Sequence, residues 1–200
     1  HGLQLWPGSN RWLYKLNPIA TETGRYGSKK HDFWMGQQIQ NPPPEMRCMV
    51  EAPEGWCIWK ADLSKADFFH TAFASEEPNM MSIVMREVAG EIDVHCYHAA
   101  QFFSKPYEEI FRGYKAKEDW VVHSTRGVRQ NTKRIVYGAN YLMAGYTLLV
   151  GIMGKEAVDA TAAFMGRSRV GWAIKDYAAF CQELIDYYFQ KMYPSLQPWL

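Results

Sequence analysis

The chain has 200 residues, of which 48% are hydrophobic, and its formal net charge at pH 7 is +1. This length fits one domain, or one domain with part of a neighbour, and the hydrophobic fraction is sufficient for a core. The small net charge does not by itself indicate a nucleic-acid ligand, so such an interpretation depends on local clusters of cations.

The cysteines and the apolar segments exclude several classes of protein. There are four cysteines and no C-x-x-C pair, so neither a zinc site nor a disulfide framework is indicated. A reducing, cytoplasmic compartment is therefore expected. The apolar run 141–154 is too short and too rich in glycine to span a bilayer, so no membrane partner is expected.

In chain order, the pattern predicts loop and strand over residues 1–60, with a break at Asn41-Pro42-Pro43-Pro44. Periodicity, glycines and prolines then predict a mostly helical remainder with a loop at 113–123. Helices are expected near 65–75, 79–89, 94–103, 106–112, 125–143, 155–165 and 172–191. The predicted fold class is therefore α/β, mostly α.

The segment Gly55–Leu63 is rich in aromatic and β-favouring residues, which predicts a short strand. Ser64 is expected to be the N-cap of the following helix, with Asp67 three residues later in a capping-box variant. Asp62 would then lie at the carboxyl end of a strand, where carboxylates and free carbonyls suit a hard cation such as magnesium. From these residues alone, a strand end without a ligand explains Asp62 equally well.

The segment Arg126–Tyr141 carries four cations, and no acid occurs between Asp119 and Glu156. On a helix, Arg129, Lys133 and Tyr137 share one face. Cations followed by aromatic rings suit a phosphorylated ligand with a flat base, although a solvated basic face is the commoner explanation of such a helix. Ser124 or Thr125 is the expected cap. The opposite, core-facing stripe is Val128, Thr132, Ile135, Ala139, Leu142 and Met143.

Taken together, five short motifs resemble family A DNA polymerases, the class of bacterial DNA polymerase I and related phage replicases. They occur in the family order from about Thr21 to Leu200, which is far more specific than any one of them. They are Thr21-Glu22-Thr23-Gly24-Arg25 (T-x-T-G-R), Gln37-Gln38-Ile39 (L-Q-x-I-P), Asp62-Leu63-Ser64-Lys65-Ala66-Asp67 (motif A), Asp93-Val94-His95 with Ala99-Ala100 (D-x-H-x-x-T-A) and Arg129-x-x-x-Lys133-x-x-x-Tyr137-Gly138-x-x-Tyr141 (motif B). The chain departs from the family at Gln40, Asp67, Phe69, His98 and Leu142, where the family usually has Pro, Glu, Arg, Thr and Gly.

This resemblance implies a DNA-directed DNA polymerase that adds deoxynucleoside triphosphates to a primer 3′ hydroxyl on primer-template DNA, with two Mg²⁺ ions as cofactors. Asp62 and the Leu63 carbonyl would be metal ligands, and Asp62 and Lys133 would be catalytic. The nucleotide would be bound by His95, Arg129, Lys133, Tyr137, Asp67 and Tyr141, with a hydrogen bond between Asp67 and Tyr141. DNA would be bound by Arg25, Lys29, Lys30 and Gln37.

The family also has a second catalytic aspartate in a later His-Asp-Glu hairpin, and no such motif follows Tyr141. The resemblance therefore implies a fragment or one part of a split polymerase, which would need a C-terminal palm fragment and would not extend a primer alone. The implied domains are a partial palm with the motif A strand (1–63), fingers with the motif B helix (64–170) and a long helix returning toward the palm (171–200).

Two other interpretations remain open. A nucleic-acid- or nucleotide-binding module that has lost catalysis would keep the fingers and lack the second aspartate. Single-subunit RNA polymerases share the logic of motifs A and B, but they generally lack a carboxylate at the place of Asp67, since they must admit a 2′ hydroxyl. Asp67 and the T-x-T-G-R segment favour DNA.

Overall fold

A computed structural model describes residues 8, 14–19, 26–29, 44–59 and 61–196 of the chain. This described part is mostly helical, which confirms the prediction of a mostly-α protein. It divides into two compact units between Asp62 and Leu63. No helix within it combines the length and the apolar character needed to cross a bilayer.

The first unit contains little regular structure among its described residues. Strand β1 (Lys15–Asn17) pairs antiparallel with β2 (Gly27–Lys29), and Leu16 lies opposite Ser28 in this ladder. One short helix follows, α1 (Pro44–Arg47).

The predicted strand Gly55–Leu63 is wrong for the residues described there, because 55–59 and 61–63 form neither helix nor strand. The aromatic side chains that favoured it are exposed, Trp56 at 77% and Trp59 at 90%. A strand needs a neighbour for its backbone groups and a layer that covers its side chains. Neither described strand pairs with this segment, so its β-favouring composition is not sufficient.

The second unit is a bundle of helices with two π-helical turns. The helices are α2 (Ala66–Ser75), α3 (Pro78–Val88), α4 (Val94–Phe103), α5 (Tyr107–Lys115), α6 (Asp119–Val122), α7 (Val128–Asn140), α8 (Gly145–Leu148), α9 (Gly154–Phe164) and α10 (Ile174–Tyr187). The first π turn is Leu149–Met153 and the second is Tyr188–Met192. Helix α4 matches its predicted bounds, whereas the predicted loop 113–123 is helical over much of its length.

Helix α4 lies at the centre of this unit. Eight of its ten residues are buried, including Val94, Cys96 and Ala99 with no exposed area. A helix that is buried around most of its circumference is packed on several sides, and α4 contacts α3, α5 and α7. Side chains at its N-terminus therefore meet side chains from several other helices.

Helix α7 begins at Val128, so the predicted caps Ser124 and Thr125 are wrong. Its N-cap is Gly127, where a Cβ atom would lie 2.5 Å from the carbonyl oxygen of Val121 and 2.6 Å from the amide nitrogen of His123. Only glycine allows the backbone to approach so closely. The backbone N–H groups of Thr125 and Arg126 donate to His123 Nδ1, at 3.2 and 3.1 Å.

The predicted cap of α2 is also wrong, because this helix begins two residues after Ser64. Its N-cap is Lys65, which has a left-handed backbone (φ 58°) and makes no side-chain cap hydrogen bond. Asp67 therefore lies in the first helical turn and is not part of a capping box.

The core-facing stripe of α7 is largely as predicted. Val128, Thr132, Ile135 and Ala139 have no exposed area. Leu142 is 55% exposed, contrary to the prediction, because the helix ends at Asn140 and Leu142 adopts a left-handed backbone (φ 53°). Met143 is half-buried.

The close crossing of α8 and α10 gives a stability prediction. A Cβ atom on Gly145 would lie 2.3 Å from the carbonyl oxygen of Ala178 and 2.6 Å from the amide nitrogen of Gln182. Since two backbones would have to separate, Gly145→Ala should lower the free energy of unfolding by about 3 kcal/mol, measured by urea denaturation. Gly151→Ala is the control, because nothing lies within 4 Å of its Cβ position. Equal effects of the two substitutions would contradict this packing.

Candidate functional site

The Asp93 carboxylate holds together the N-termini of α4 and α7. It caps α4 by accepting from the Cys96 amide at 2.8 Å. It also binds the Arg129 guanidinium with two hydrogen bonds, from Nε to Oδ1 at 3.0 Å and from Nη2 to Oδ2 at 2.9 Å. The Asp93 amide itself donates to the Tyr107 hydroxyl at 2.9 Å. This residue is therefore fixed through both its side chain and its backbone.

Lys65 and Glu87 extend this pair into a network of four charges. Lys65 Nζ lies 3.4 Å from Asp93 Oδ2 and forms a second ion pair with Glu87. Glu87 also accepts a hydrogen bond from the Val94 amide at 2.6 Å. The four side chains are only 12–17% exposed. Two cations and two anions alternate here, so the charges balance where little water can reach them.

The network changes the titration of Asp93. Burial alone would raise the pKa of this carboxyl, but the hydrogen bonds and positive charge of Arg129 hold the pKa well below its ordinary value. Arg129 is correspondingly immobilised: two of its nitrogens face Asp93, and its guanidinium carbon lies 4.0 Å from the centroid of the Tyr114 ring. A phosphate would have to compete with Asp93 for these donors.

His95 follows Asp93 by two residues and is only 7% exposed. Burial, together with the positive charges of Arg129 and Lys133, lowers the pKa of His95 to about 3. The ring is therefore neutral at pH 7, and within the described part of the chain its Nδ1 atom has no hydrogen-bond partner. A neutral imidazole binds a ligand through hydrogen bonds and not through charge.

A pocket of about 60 Å³ brings four of the predicted nucleotide-binding residues together. Helix α2 contributes Asp67, α4 contributes His95, and α7 contributes Lys133 and Tyr137. This volume holds a few water molecules or one small chemical group, so only part of a nucleotide would enter it. The complete lining is Lys65, Asp67, Phe68, His95, Lys133, Val136, Tyr137 and Asn140.

Next to the pocket, the predicted hydrogen bond between Asp67 and Tyr141 is present. The Tyr141 hydroxyl donates to Asp67 Oδ1 at 3.2 Å, across 74 positions of sequence. Tyr141 also packs on Tyr137, with ring centroids 4.5 Å apart and planes tilted by 34°. This pair of rings and the carboxylate form one continuous edge of the site.

Asn140 lines the pocket but was not among the predicted residues. Its Oδ1 atom accepts a hydrogen bond of 2.7 Å from the buried Tyr188 hydroxyl. Because this bond fixes which end of the amide faces Tyr188, the Nδ2 donors are left for other partners. Asn140 lies seven residues, or two helical turns, after Lys133. This spacing places both residues on one face of the helix, so the sequence could have indicated Asn140 as a pocket residue.

The predicted metal ligands and DNA-binding residues are not among the residues that line this pocket. Arg25, Lys30, Gln37 and the side chain of Lys29 lie outside the described residues. Asp62 and Leu63 are exposed and lie at the boundary between the two units.

The resemblance implies two magnesium ions, which require a set of oxygen ligands from the protein. Asp62 and the Leu63 carbonyl supply one carboxylate and one carbonyl oxygen. Over residues 44–59 and 61–196, no three His, Cys, Asp or Glu side chains are grouped so that they could hold a metal. Magnesium takes six oxygen ligands, several of them often water, and two ions need more carboxylates than one. The described donors therefore do not fit a two-ion site.

A larger groove of about 600 Å³ lies elsewhere on this unit, between α6 and α9. Trp120 and Phe164 make its lining mostly apolar, and it contains none of the predicted nucleotide-binding residues. The smaller pocket is the better candidate site, because it brings together Asp67, His95 and Lys133, whose side chains match the chemistry of a phosphate and a sugar.

No protein-family model, curated protein or solved structure matches this chain. The likeness to family A polymerases therefore depends on the order and spacing of the five motifs.

The buried histidines give a prediction of pH dependence. Burial lowers the pKa of His98 to about 3, as it does for His95, from an ordinary value of 6.5. Between pH 6.5 and 3 the unfolded chain therefore binds a proton at each ring that the folded chain does not, so stability falls as the pH falls. Lowering the pH from 7 to 5 should decrease the free energy of unfolding by about 2 kcal/mol for each ring, measured by urea denaturation.

Two variants test this origin. His98→Gln should reduce the dependence on pH by about half, because one of the two rings is removed. His70→Gln, at an exposed position of α2, should keep the dependence of the wild type. Equal stability of the wild-type chain at pH 7 and pH 5 would contradict the burial of neutral rings.

Proposed function

We propose that this chain is the nucleotide-binding fingers part, with the beginning of the palm, of a template-directed DNA polymerase similar to family A. In this proposal, helix α7 is the fingers helix, and the pocket beside it receives part of an incoming deoxynucleoside triphosphate. Primer-template DNA is the second ligand, and a C-terminal palm fragment would supply the second catalytic aspartate.

One observation carries this proposal. Residues from motif A (Asp67), from the D-x-H segment (His95) and from motif B (Lys133 and Tyr137) line a single pocket. These motifs are separated by 28 to 70 positions in the sequence. An accidental likeness of short motifs gives no reason for their side chains to converge, whereas a shared ligand does.

The two cations of the fingers helix take different parts in this proposal. Lys133 is exposed and contributes no ion pair among the described residues, so its ammonium group can bind the phosphates. Arg129 is engaged by Asp93 and keeps the start of α7 in place. Neutral His95 adds a hydrogen bond to a phosphate oxygen, since a buried neutral donor costs less to desolvate than a second charge.

The sugar end of the nucleotide is assigned to Asp67 and the two tyrosines. The Tyr141 hydroxyl holds the Asp67 carboxylate at 3.2 Å, and Tyr137 packs against the Tyr141 ring. A fixed carboxylate at the edge of the pocket blocks a 2′ hydroxyl by occupying its space. This arrangement favours a DNA polymerase over a single-subunit RNA polymerase.

A nucleotide-binding module without catalysis is the second candidate, since the same pocket would serve it. The two candidates differ in whether the complete protein adds nucleotides to a primer. Mixing the chain with a family A palm fragment that carries the His-Asp-Glu hairpin distinguishes them. Primer extension by the mixture supports a split polymerase, provided that Asp62→Ala abolishes it.

The role of Lys133 can be tested by nucleotide binding to the isolated chain. Lys133→Ala should weaken the binding of a deoxynucleoside triphosphate by about 2 kcal/mol, or roughly 30-fold, because a charge-assisted contact to a phosphate is lost. The effect should decrease from triphosphate to monophosphate in an isothermal titration.

Arg134→Ala is the matched control for this experiment. Arg134 is the next residue on the same helix and contacts Asn131 Oδ1 at 3.3 Å, so it does not line the pocket. If both variants lost the same affinity, the helix would act only through its overall charge, and the proposed phosphate contact would be wrong.

Sugar selection gives a second test of the proposal. The wild-type chain should bind a deoxynucleotide at least about fivefold more tightly than the matching ribonucleotide, because Asp67 occupies the 2′ position. Asp67→Ala should bring the two affinities close together. Tyr141→Phe keeps the carboxylate but removes the hydrogen bond that holds it, so an intermediate ratio is expected. An unchanged ratio in Asp67→Ala would exclude this residue as the sugar gate.

A further inference from the structure

A second groove, of about 260 Å³, lies on the other side of α4 from the nucleotide pocket. His95 faces the pocket, whereas Tyr97 and Gln101 line the groove. Around the axis of α4, these two residues are displaced from His95 by about 200° and about 240°. The two cavities share no lining residue. A ligand in this groove would therefore be separate from a nucleotide in the pocket.

Three helical segments each contribute one stripe to the groove. The full lining is Asn79, Ser82, Ile83 and Arg86 from α3, Tyr97 and Gln101 from α4, and Tyr187, Lys191, Met192 and Tyr193 from the C-terminal segment. Two of these side chains are cationic and none is acidic. Amide and hydroxyl groups supply most of the rest, which is the composition of a site for an anion.

The two cations are positioned to bind a ligand. Arg86 uses only Nε in its ion pair, with Glu91 at 3.5 Å, and its guanidinium carbon lies 5.9 Å from the centroid of the Tyr97 ring. Lys191 lies in the second π turn and has no acid within 4 Å among the described residues. Irregular turns of this kind are frequent at functional sites.

Internal hydrogen bonds hold the walls of the groove in place. Asn79 Nδ2 donates to the carbonyl of Met192 at 3.2 Å, which joins α3 to the second π turn. The Tyr187 hydroxyl donates to the carbonyl of Gln101 at 3.3 Å, which joins α10 to α4. The groove is therefore a preformed feature of the fold and not a gap between mobile side chains.

We propose that this groove is a phosphate-binding site, in which Arg86 and Lys191 hold phosphate oxygens and the neutral polar groups complete their hydrogen bonds. Phosphodiester groups of a single nucleic-acid strand and free polyphosphate share this chemistry. The assignment does not depend on the chain being a polymerase, since it uses no residue of the nucleotide pocket.

The test measures the anisotropy of fluorescein-labelled oligothymidylate over a series of salt concentrations. The Arg86→Gln/Lys191→Gln variant should bind at least about fivefold more weakly than the wild type, and the slope of log K against log salt should decrease by about 1.4 for two lost contacts to a single strand. Lys117→Gln/Lys175→Gln is the control, because it removes two exposed cations outside the groove and gives the same net charge. All four positions are exposed, so circular dichroism should show an unchanged fold.

A second arm identifies the source of the phosphate. Binding of sodium pyrophosphate is measured in the Lys133→Ala background, where the nucleotide pocket contributes least. Loss of oligothymidylate binding in the groove variant assigns the site to a nucleic-acid strand, and loss of pyrophosphate binding alone assigns it to free polyphosphate. If the groove and control variants behaved alike in both arms, the proposal would be overturned.

Discussion

The carboxylate of Asp93 is the constraint on which the second unit depends. It accepts hydrogen bonds from Arg129 on α7 and from the amide of Cys96 on α4, and it lies 3.4 Å from Lys65 just before α2. Removing one partner of such a buried network leaves the others charged in a poorly hydrated place, at a cost of about 3–5 kcal/mol. One side chain therefore links the N-termini of α4 and α7 to the residue that precedes α2.

The ion pair with Asp93 distinguishes Arg129 from Lys133, although their spacing places both on the same face of α7. Arg129 and Lys133 are one helical turn apart on the same face, but Arg129 is only 15% exposed and bound on two sides, whereas Lys133 is exposed. A guanidinium suits a fixed planar pair with a carboxylate, and a flexible ammonium suits a ligand that arrives and leaves. The chemistry of each residue agrees with the place that it occupies.

Some of this architecture could be predicted from the sequence. Helical periodicity located α4 and the shared face of α7, because local spacing decides both, and the order of motifs indicated the contact between Asp67 and Tyr141. The predicted strand at Gly55–Leu63 is wrong because a strand depends on pairing partners that composition does not reveal. The cap at Gly127 and the pair of Asp93 with Arg129 were missed, since each requires the approach of segments that are distant in sequence or fixed by tertiary packing.

The bond between Asn140 and Tyr188 also has a mechanical consequence. It fastens the last turn of α7 to the second π turn, and a Cβ on Gly138 would lie only 2.7 Å from the Leu148 side chain of α8, so α7 is held against both segments. Rotation of α7 about its own axis would therefore break the bond to Tyr188 or displace Leu148. We therefore expect the pocket to adjust to a ligand mainly through side-chain rotamers, such as that of the exposed Lys133, with little change in the backbone of α7.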